Sequence, residues 1–514
     1  MRQAYQVAAV RAAERALMDA VPPGALMRRA ATGLASACTA LLARHPGYVY
    51  GARVLVLAGT GDNGGDALYA GALLARRGAV VTAIAAGPKA HEGGTAELIA
   101  AGGHIRQGTA AGTGRGEAFA RADLIMDGLL GIGGRPGLRE PFSGLAKLAN
   151  QAEGTVVAVD VPSGIDADTG AADGLAVRAD VTVTFGAIKP GLLIDPGAGH
   201  AGAVDFVDIG LRPYLPGQPS ALAPQAVDIA RMLPRPGPES DKYRRGVLGV
   251  LAGSDRFAGA ALLATGGAVR GGAGMVRVVT GQVPAAAIRQ TWPEVLLVAH
   301  PDTPDWDLLA SAGRVQAWVA GPGMGTSHDA AARLAAVLST DLPVLVDADG
   351  LTIVSQVPGL LPRAAPTLIT PHAGELARLL GTDAARVEAR RLEHARRAAG
   401  KLGVTVLLKG STTVIVPPPA DSGGSGDRPV FVNPTGTPWL ATAGTGDVLS
   451  GLAGSLLAQG LEPAHAGIAA AYLHGLAARL AAASGGPDRP WVHGEAPIGA
   501  SDVVRALPAA FRSL

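Results

Sequence analysis

Residues 53–78, RVLVLAGTGDNGGDALYAGALLARRG, pass from an apolar run through a glycine-dense turn into an amphipathic stretch. A short run that is apolar throughout fits a strand buried on both faces, and such a strand leading through glycines into a helix opens a parallel α/β sheet. Gly59, Gly61 and Gly64 within it spell G-x-G-x-x-G, the fingerprint of dinucleotide-binding turns. A dehydrogenase of that kind needs an acid about 20 residues on, closing the second strand, to hold the ribose hydroxyls. Here the second strand reads AVVTAIAAGPK and closes without one. The turn Asp62-Asn63-Gly64-Gly65-Asp66 is also more polar than close approach of a pyrophosphate requires, so an ordinary dehydrogenase is disfavoured.

Outward from this unit the same rhythm continues. A helical start, with RAAERALMDAV and GALMRRAATGLASACTALLA, precedes it; ADLIMD, TVVAVDVP and ADVTVTF follow as further strands. A cluster of prolines interrupts, and GVLGVLAG, MVRVVT, AWVAGPG, PVLVDADG, TLITPH and VTVLLKG then restore the alternation. The expected architecture is α/β: two three-layer αβα domains over residues 1–215 (Rossmann-like) and 241–514, joined by a proline-rich linker over 216–240. PPPADSGGSGDRP, between the apolar runs TTVIV and PVFVN, reads as a mobile hairpin loop without chemistry.

The chain has 514 residues, enough for two to four domains, with 48% hydrophobic and 17% charged residues. Lys plus Arg is 44 against 42 Asp plus Glu, neither sign in blocks, so neither nucleic acid nor an anionic membrane is expected as a partner. The single cysteine, Cys38, falls in an Ala-rich helical pattern and reads as an inert buried thiol. Arg2, Arg11, Glu14 and Arg15 interrupt the first 15 residues, unlike the apolar core of a signal peptide, and no stretch of 18 uncharged apolar residues occurs. A cytoplasmic protein acting on small molecules is expected, as a homo-oligomer.

In open α/β sheets ligands bind beyond the carboxyl ends of the strands. Four such ends in the first half carry unusual residues: GTGDNGGD, Asp127 with GLLGIGGRPG, Asp160 with VPSGIDADTG, and Lys189 in FGAIKPG. Each alone has a plainer reading as a tight turn, a capping Asp166 or Asp168, or a solvated lysine. Together these blocks, with LMRRA near residue 27, resemble the NAD(P)H-hydrate epimerases over nearly all of residues 1–212. The resemblance implies that Asn63, Asp127 and Ser163 surround a potassium ion. It implies that Asp62, Asn63, Gly64, Gly65 and Asp66, then Gly131, Ile132, Gly133, Gly134, Arg135, Pro136 and Gly137, contact the damaged cofactor together with Asp160. Asp62 stands where the family more often has Asn, and Ala67 where it usually has Gly. The chemistry needs a carboxyl that cycles a proton while hydroxide leaves C6 and water returns to either face, and Asp160, tuned or oriented by Lys189, is the expected group.

In the second half, Gly444-Thr445-Gly446-Asp447 leads straight into a helical pattern. Backbone N–H groups and a helix N-terminus beside one carboxylate can stabilise a transferring phosphoryl group while the acid takes the proton of the attacking hydroxyl. As a bare pattern it could equally be a helix cap. No G-x-x-x-x-G-K-[ST] occurs, which argues against a P-loop kinase. KYRRGVLGVLAGSDRFAGAALLATGGAVRGGAGMVRV, AGPGMG, VDADGL, TPHAGELARLLG and LLKGSTTVI occur in the order of the ADP-dependent NAD(P)H-hydrate dehydratases, ribokinase-like proteins, and the similarity covers about residues 240–508. It implies that Ala260, Gly323, His372 and Asp447 line the hydrate site, and that Lys409, Gly410, Ser411, Thr412, Thr413, Gly444, Thr445 and Gly446 hold the nucleotide. His372 could instead cap a helix, and Asp347 and Asp349 could serve magnesium through water or merely turn the chain. ADP as co-substrate would phosphorylate the C6 oxygen with Asp447 as base, and expulsion of phosphate would restore NADH or NADPH from its hydrate, with magnesium as the nucleotide's counterion. The competing readings are a ribokinase-like small-molecule kinase and a non-catalytic N-terminal binding module.

Overall fold

The computed structural model describes residues 1–87, 89–107, 115–300, 307–420, 428–483 and 495–514. Most of the stretch read as a hairpin loop, residues 421–427, lies outside them. The chain divides into two compact units: Gln3–Ala221 with Ala389–Arg391, and Met1–Arg2 with Leu222–Glu388 and Leu392–Leu514. Within the proline-rich stretch 216–240 the chain forms a helix, Ala226–Met232, whose Ile229 is fully buried in the core of the second unit. A seven-residue helix set among prolines is too short to give a periodic signal of that packing.

The first unit is built on seven strands in the order His104–Gln107, Val80–Ala85, Arg53–Ala58, Leu124–Gly128, Thr155–Val159, Val181–Phe185, Ala203–Val207. Every pairing is parallel. Successive side chains of a strand point to opposite faces. Val54 and Val56 accordingly join Leu34, Leu68 and Leu74 in one core, whereas Leu55 and Leu57 join Phe119, Leu145 and Ala149 in another. Arg53–Ala58 continues outward to Val80–Ala85 on one side, while Leu124–Gly128, reached later, lies on its other side. Loops leaving these two strands therefore part in opposite directions, and a crevice opens between them.

In the second unit nine consecutive strands of an eleven-stranded sheet run in the order Val430–Val432, Val414–Val416, Thr405–Leu408, Thr367–Ile369, Val344–Val346, Ala317–Ala320, Val247–Leu251, Met275–Thr280, Leu296–Ala299. The first two pairings are antiparallel and the rest parallel. Leu248, Val250, Val319, Leu345 and Leu368 face a core shared with the helices Ala258–Arg270, Thr445–Ala458, Pro463–Ala482 and Ala500–Arg512. The alternate residues Val247, Trp318, Val344 and Val346 are just as buried, so this sheet too is covered on both faces. Ala258–Arg270 and Thr445–Ala458 touch backbone to backbone: a Cβ on Gly451 would strike the carbonyl of Ala264, and one on Gly267 the carbonyl of Val448. Glycine at these two points fixes how Asp447 stands relative to the start of Ala258–Arg270. Among the described residues no helix is long and apolar enough to cross a membrane.

Candidate active sites

The crevice of the first unit is a cavity of about 930 Å³ walled by the turn 60–63, Asp66, the segment 129–134, Asp160, and Arg11, Glu14 and Met18 of the helix Val7–Ala20. The helix Asp62–Ala75 begins at this wall, after Gly61, so its free amides are available there. Asp160 follows the strand Thr155–Val159 with φ 67°, a left-handed conformation that costs a non-glycine residue on the order of 1–3 kcal/mol. Its Oδ1 accepts from Thr184 Oγ1 at 3.1 Å, from the Phe185 amide at 3.1 Å and from Lys189 Nζ. Lys189, 1% exposed, also donates to Thr184 Oγ1 at 3.0 Å and to the Phe185 carbonyl at 3.2 Å. Burying an ammonium this deeply requires a paired, hydrogen-bonded charge, and Asp160 supplies it. The donors all fall on Oδ1; among the described residues none reaches Oδ2.

Against Leu129 and Leu130 sits a second acid. Asp127 is fully buried, and burial pushes its carboxyl up to about 6, although hydrogen bonds from Ser163 and Leu129 pull it back. Ser163 donates its hydroxyl to Oδ1 at 2.7 Å and its amide to Oδ2 at 2.8 Å, and Ser163 Oγ also accepts from the Leu130 amide at 2.9 Å. The Asn63 side chain lies so close to Gly131 that a Cβ there would stand 3.0 Å from its Oδ1, and Asn63 Nδ2 is buried without a hydrogen bond among the described residues. Burial raises Asp66 well above, and Glu14 above, the ordinary carboxylate range, and the negative charges of Asp160 and Asp62 add to both shifts.

In the second unit Val247–Leu251 has Met275–Thr280 on one side and Ala317–Ala320 on the other, which makes another divergence point. The loops beyond it interlock: the Gly253 amide donates to the Pro322 carbonyl at 2.8 Å, and Ser254 Oγ to the Gly323 carbonyl at 2.8 Å. Gly323, with φ 61°, rests on Ala260, so any side chain there would collide with it. Asp447 lies in the first turn of Thr445–Ala458, preceded by Gly444 at φ 88°. Lys409 Nζ stands beside Gly446, bonds Asp347 Oδ1 at 2.9 Å and approaches Glu375 Oε2 at 3.7 Å. The other oxygen of Asp347 accepts from Ser450 Oγ at 2.6 Å. Burial, reinforced by Asp347 and opposed by Lys409, pushes Asp447 up to about 7. That value suits a base that must take a proton near neutral pH. Burial pushes His474, hydrogen-bonded to the Thr445 backbone, down to about 4 and so keeps it neutral.

The family signature described as NAD(P)H-hydrate dehydratase matches residues 248–490, and the one described as YjeF-related protein N-terminus matches residues 23–191. A bifunctional NAD(P)H-hydrate repair enzyme of Mycobacterium leprae is 45% identical over 100% of both chains. The chain belongs to the bifunctional NAD(P)H-hydrate repair enzyme family. The enzyme of that name from Mycobacterium tuberculosis (strain CDC 1551 / Oshkosh) is 46% identical over 91% of each chain. A crystal structure of an ADP/ATP-dependent NAD(P)H-hydrate dehydratase from Bacillus subtilis is 31% identical and covers 56% of this chain and 97% of its own, with a TM-score of 0.49.

With the repair-enzyme family established, the residues singled out in the sequence fall into place unevenly. Asp62, Asn63, Asp66, Gly131, Ile132, Gly133, Gly134 and Asp160 share one cavity wall. Gly64 and Gly65 are buried in the helix turn behind it. Gly137, at φ 79°, packs instead against Gly164 and Asp173, and Arg135, Pro136 and Gly137 are not part of the cavity wall. In the second unit Asp447, Gly446 and Lys409 come together, as do Ala260 and Gly323. His372 caps the helix Ala373–Leu380: its Nδ1 accepts from the Gly374 amide at 3.0 Å and its own amide donates to Glu375 Oε2 at 2.7 Å. Thr413 Oγ1 turns to the Gly410 carbonyl at 3.1 Å, Thr445 Oγ1 to the Leu440 carbonyl at 2.8 Å, and Ser411 packs against Gly436. Asp349 Oδ2 accepts from the Gly325 amide at 2.9 Å, a turn-forming use. Arg11, Glu14, Glu375, Ser450 and His474 were missed. They sit on helices whose apolar periodicity explains them as ordinary surface or core residues, and only the tertiary fold places them at a site.

Proposed function

We propose that the two crevices repair hydrated nicotinamide dinucleotides in succession: the first interconverts the R and S hydrates of NADH and NADPH, and the second dehydrates the S form using ADP, with AMP and phosphate as products. The observation that carries the reading is Asp447, held near neutrality beside Lys409 at the amino end of a buried helix. There the hydrate's C6 hydroxyl gives its proton to Asp447 while its oxygen forms a bond to the β-phosphorus of ADP and the bridging P–O bond to AMP breaks. The ring nitrogen then drives phosphate from C6, and loss of a C5 proton restores the dihydronicotinamide. Lys409, bonded to Asp347, which Ser450 in turn holds, supplies positive charge next to the turn where phosphoryl oxygens would meet free amides.

Asp347 and Asp349 are already engaged by Lys409, Ser450 and Gly325, so magnesium fits best as the nucleotide's own counterion, where it neutralises phosphate charge. In the first unit Asp127, Ser163 and the Asn63 side-chain carbonyl present oxygens, and among the described residues no cationic countercharge neutralises the buried Asp127 carboxyl. Those residues suit a potassium ion, which would supply that charge beneath the substrate. Asp160, oriented by Lys189, handles the proton of the departing hydroxyl. The setting that fits this chemistry is the cytoplasm, where NADH, NADPH and ADP would meet the enzyme. With purified S hydrate, ADP and magnesium, AMP, phosphate and reduced cofactor should form one for one. Accumulation of a phosphorylated hydrate would instead make the second unit a kinase.

A further inference from the structure

We propose that Glu14 is the second proton carrier of the epimerisation site, working with Asp160 on the C6 oxygen; this rests on the epimerase reading above. Interconversion has to handle protons on both faces of the ring. On one face the C6–O bond breaks as a carboxyl proton passes to the leaving oxygen, and the ring-nitrogen lone pair forms a C=N bond. Water then adds to the other face, forms the new C6–O bond and gives its extra proton to a second carboxylate. Atoms and charge balance, and the two acids exchange roles in the reverse direction. Asp160, tied on one oxygen by Lys189, Thr184 and Phe185, can serve one face.

Three other carboxyls reach the cavity wall: Asp62, Asp66 and Glu14. Asp62 is exposed in the first turn of Asp62–Ala75, on the solvent side of the wall rather than enclosed by it. Asp66 Oδ1 is sealed from solvent and bonds nothing among the described residues, which places half of that group inside the wall. Glu14 is half-buried, projects from Val7–Ala20, and has neither a hydrogen bond nor an ion pair among the described residues. One turn earlier on the same helix, Arg11 brings a guanidinium nitrogen to 2.9 Å from where a Cβ on Gly133 would stand, which offers a cation to the dinucleotide's phosphates beside the glycine loop. A substrate anchored there passes Glu14. The charged groups around Glu14 are Asp160 and Asp62, which favour its protonated form, Lys189 and Arg11, which oppose it, and Asp66, coupled to it in turn; burial outweighs all of them.

The test uses the full chain with Glu14→Gln, Glu14→Asp and Asp66→Asn, following interconversion of isolated isomers and ADP-dependent dehydration of the S isomer. Glu14→Gln keeps size and hydrogen bonding but carries no exchangeable acid proton. It should lower kcat for epimerisation by about 10² or more, with KM for the hydrate and dehydration unchanged, and Glu14→Asp should restore part of the rate. Epimerisation by Glu14→Gln at the wild-type rate overturns this assignment alone, as does a rise confined to KM. Loss in Asp66→Asn with none in Glu14→Gln transfers the role to Asp66 and also overturns it. A wild-type chain that does not interconvert the isomers removes the epimerase reading and this proposal with it.

Discussion

The two crevices solve opposite electrostatic problems with the same kind of parts. In the first, one buried lysine is consumed by Asp160, and Glu14, Asp62 and Asp66 stand around an open cavity without side-chain hydrogen bonds or ion pairs among the described residues. In the second, Lys409 is shared among Asp347, Glu375 and Asp447, and a neutral histidine supports the turn behind them. In the first, carboxyls that no cation or donor engages among the described residues, such as Glu14, can exchange protons with a ligand in the cavity. A lysine shared among carboxylates beside free amides instead creates a place where negative phosphoryl oxygens are tolerated and one acid titrates near neutrality. The comparison teaches that position along a parallel sheet selects where chemistry occurs, while whether the buried lysine is held by one acid or shared among several beside free amides selects which chemistry.

The largest expected effect is that of Asp447→Asn, which removes the base and should cut ADP-dependent dehydration about 10³-fold while isomer exchange continues, measured on separate isomers. Asp160→Asn should do the converse, lowering exchange by about 10²-fold and sparing dehydration of the S isomer. Loss of both activities in either folded variant would erase the contrast between the sites. Gly451→Val forces a side chain into the Ala264 backbone and should destabilise the second unit by about 1–3 kcal/mol or more, seen as a lower denaturation midpoint with isomer exchange retained below it. The pH dependence sharpens the comparison further. Asp447 must be deprotonated to act, and its carboxyl lies at about 7, so dehydration kcat should fall as pH drops through that value. Asp347→Asn, by removing a neighbouring negative charge, should move that limb to lower pH. The smallest effect is expected from exchanging potassium for a bulky organic cation, which should slow isomer exchange several-fold and leave dehydration unaffected.

Much of this architecture was legible beforehand because buried parallel strands leave short apolar runs that turn chemistry separates. RVLVLA, TVVAVDVP, MVRVVT and VTVLLKG each contain a strand of the structure. The edge strand His104–Gln107, reading HIRQ, was not legible: three of its four residues are exposed, and alternation over so short a span cannot be distinguished from a loop. Of the sites, the glycine turns and the acids that end strands could be read, because backbone chemistry dictates them locally. Glu14 and Arg11 could not: on an amphipathic helix they look like any solvated face, and only the packing of Val10, Ala13 and Leu17 into the core turns them toward the cavity. His372 illustrates the converse, a residue whose local pattern allowed a cap and which the structure uses as one.

The central claim is that two separable acids, Asp160 and Asp447, divide the repair between them. Full-length protein given an equal mixture of the two hydrates, with ADP and magnesium, should return all of it to reduced cofactor. The Asp160→Asn variant should stop near the share of the S isomer and then creep only at the spontaneous exchange rate, while Asp447→Asn should return almost none. Complete, rapid recovery by Asp160→Asn, or recovery by Asp447→Asn at the wild-type rate, would contradict the account.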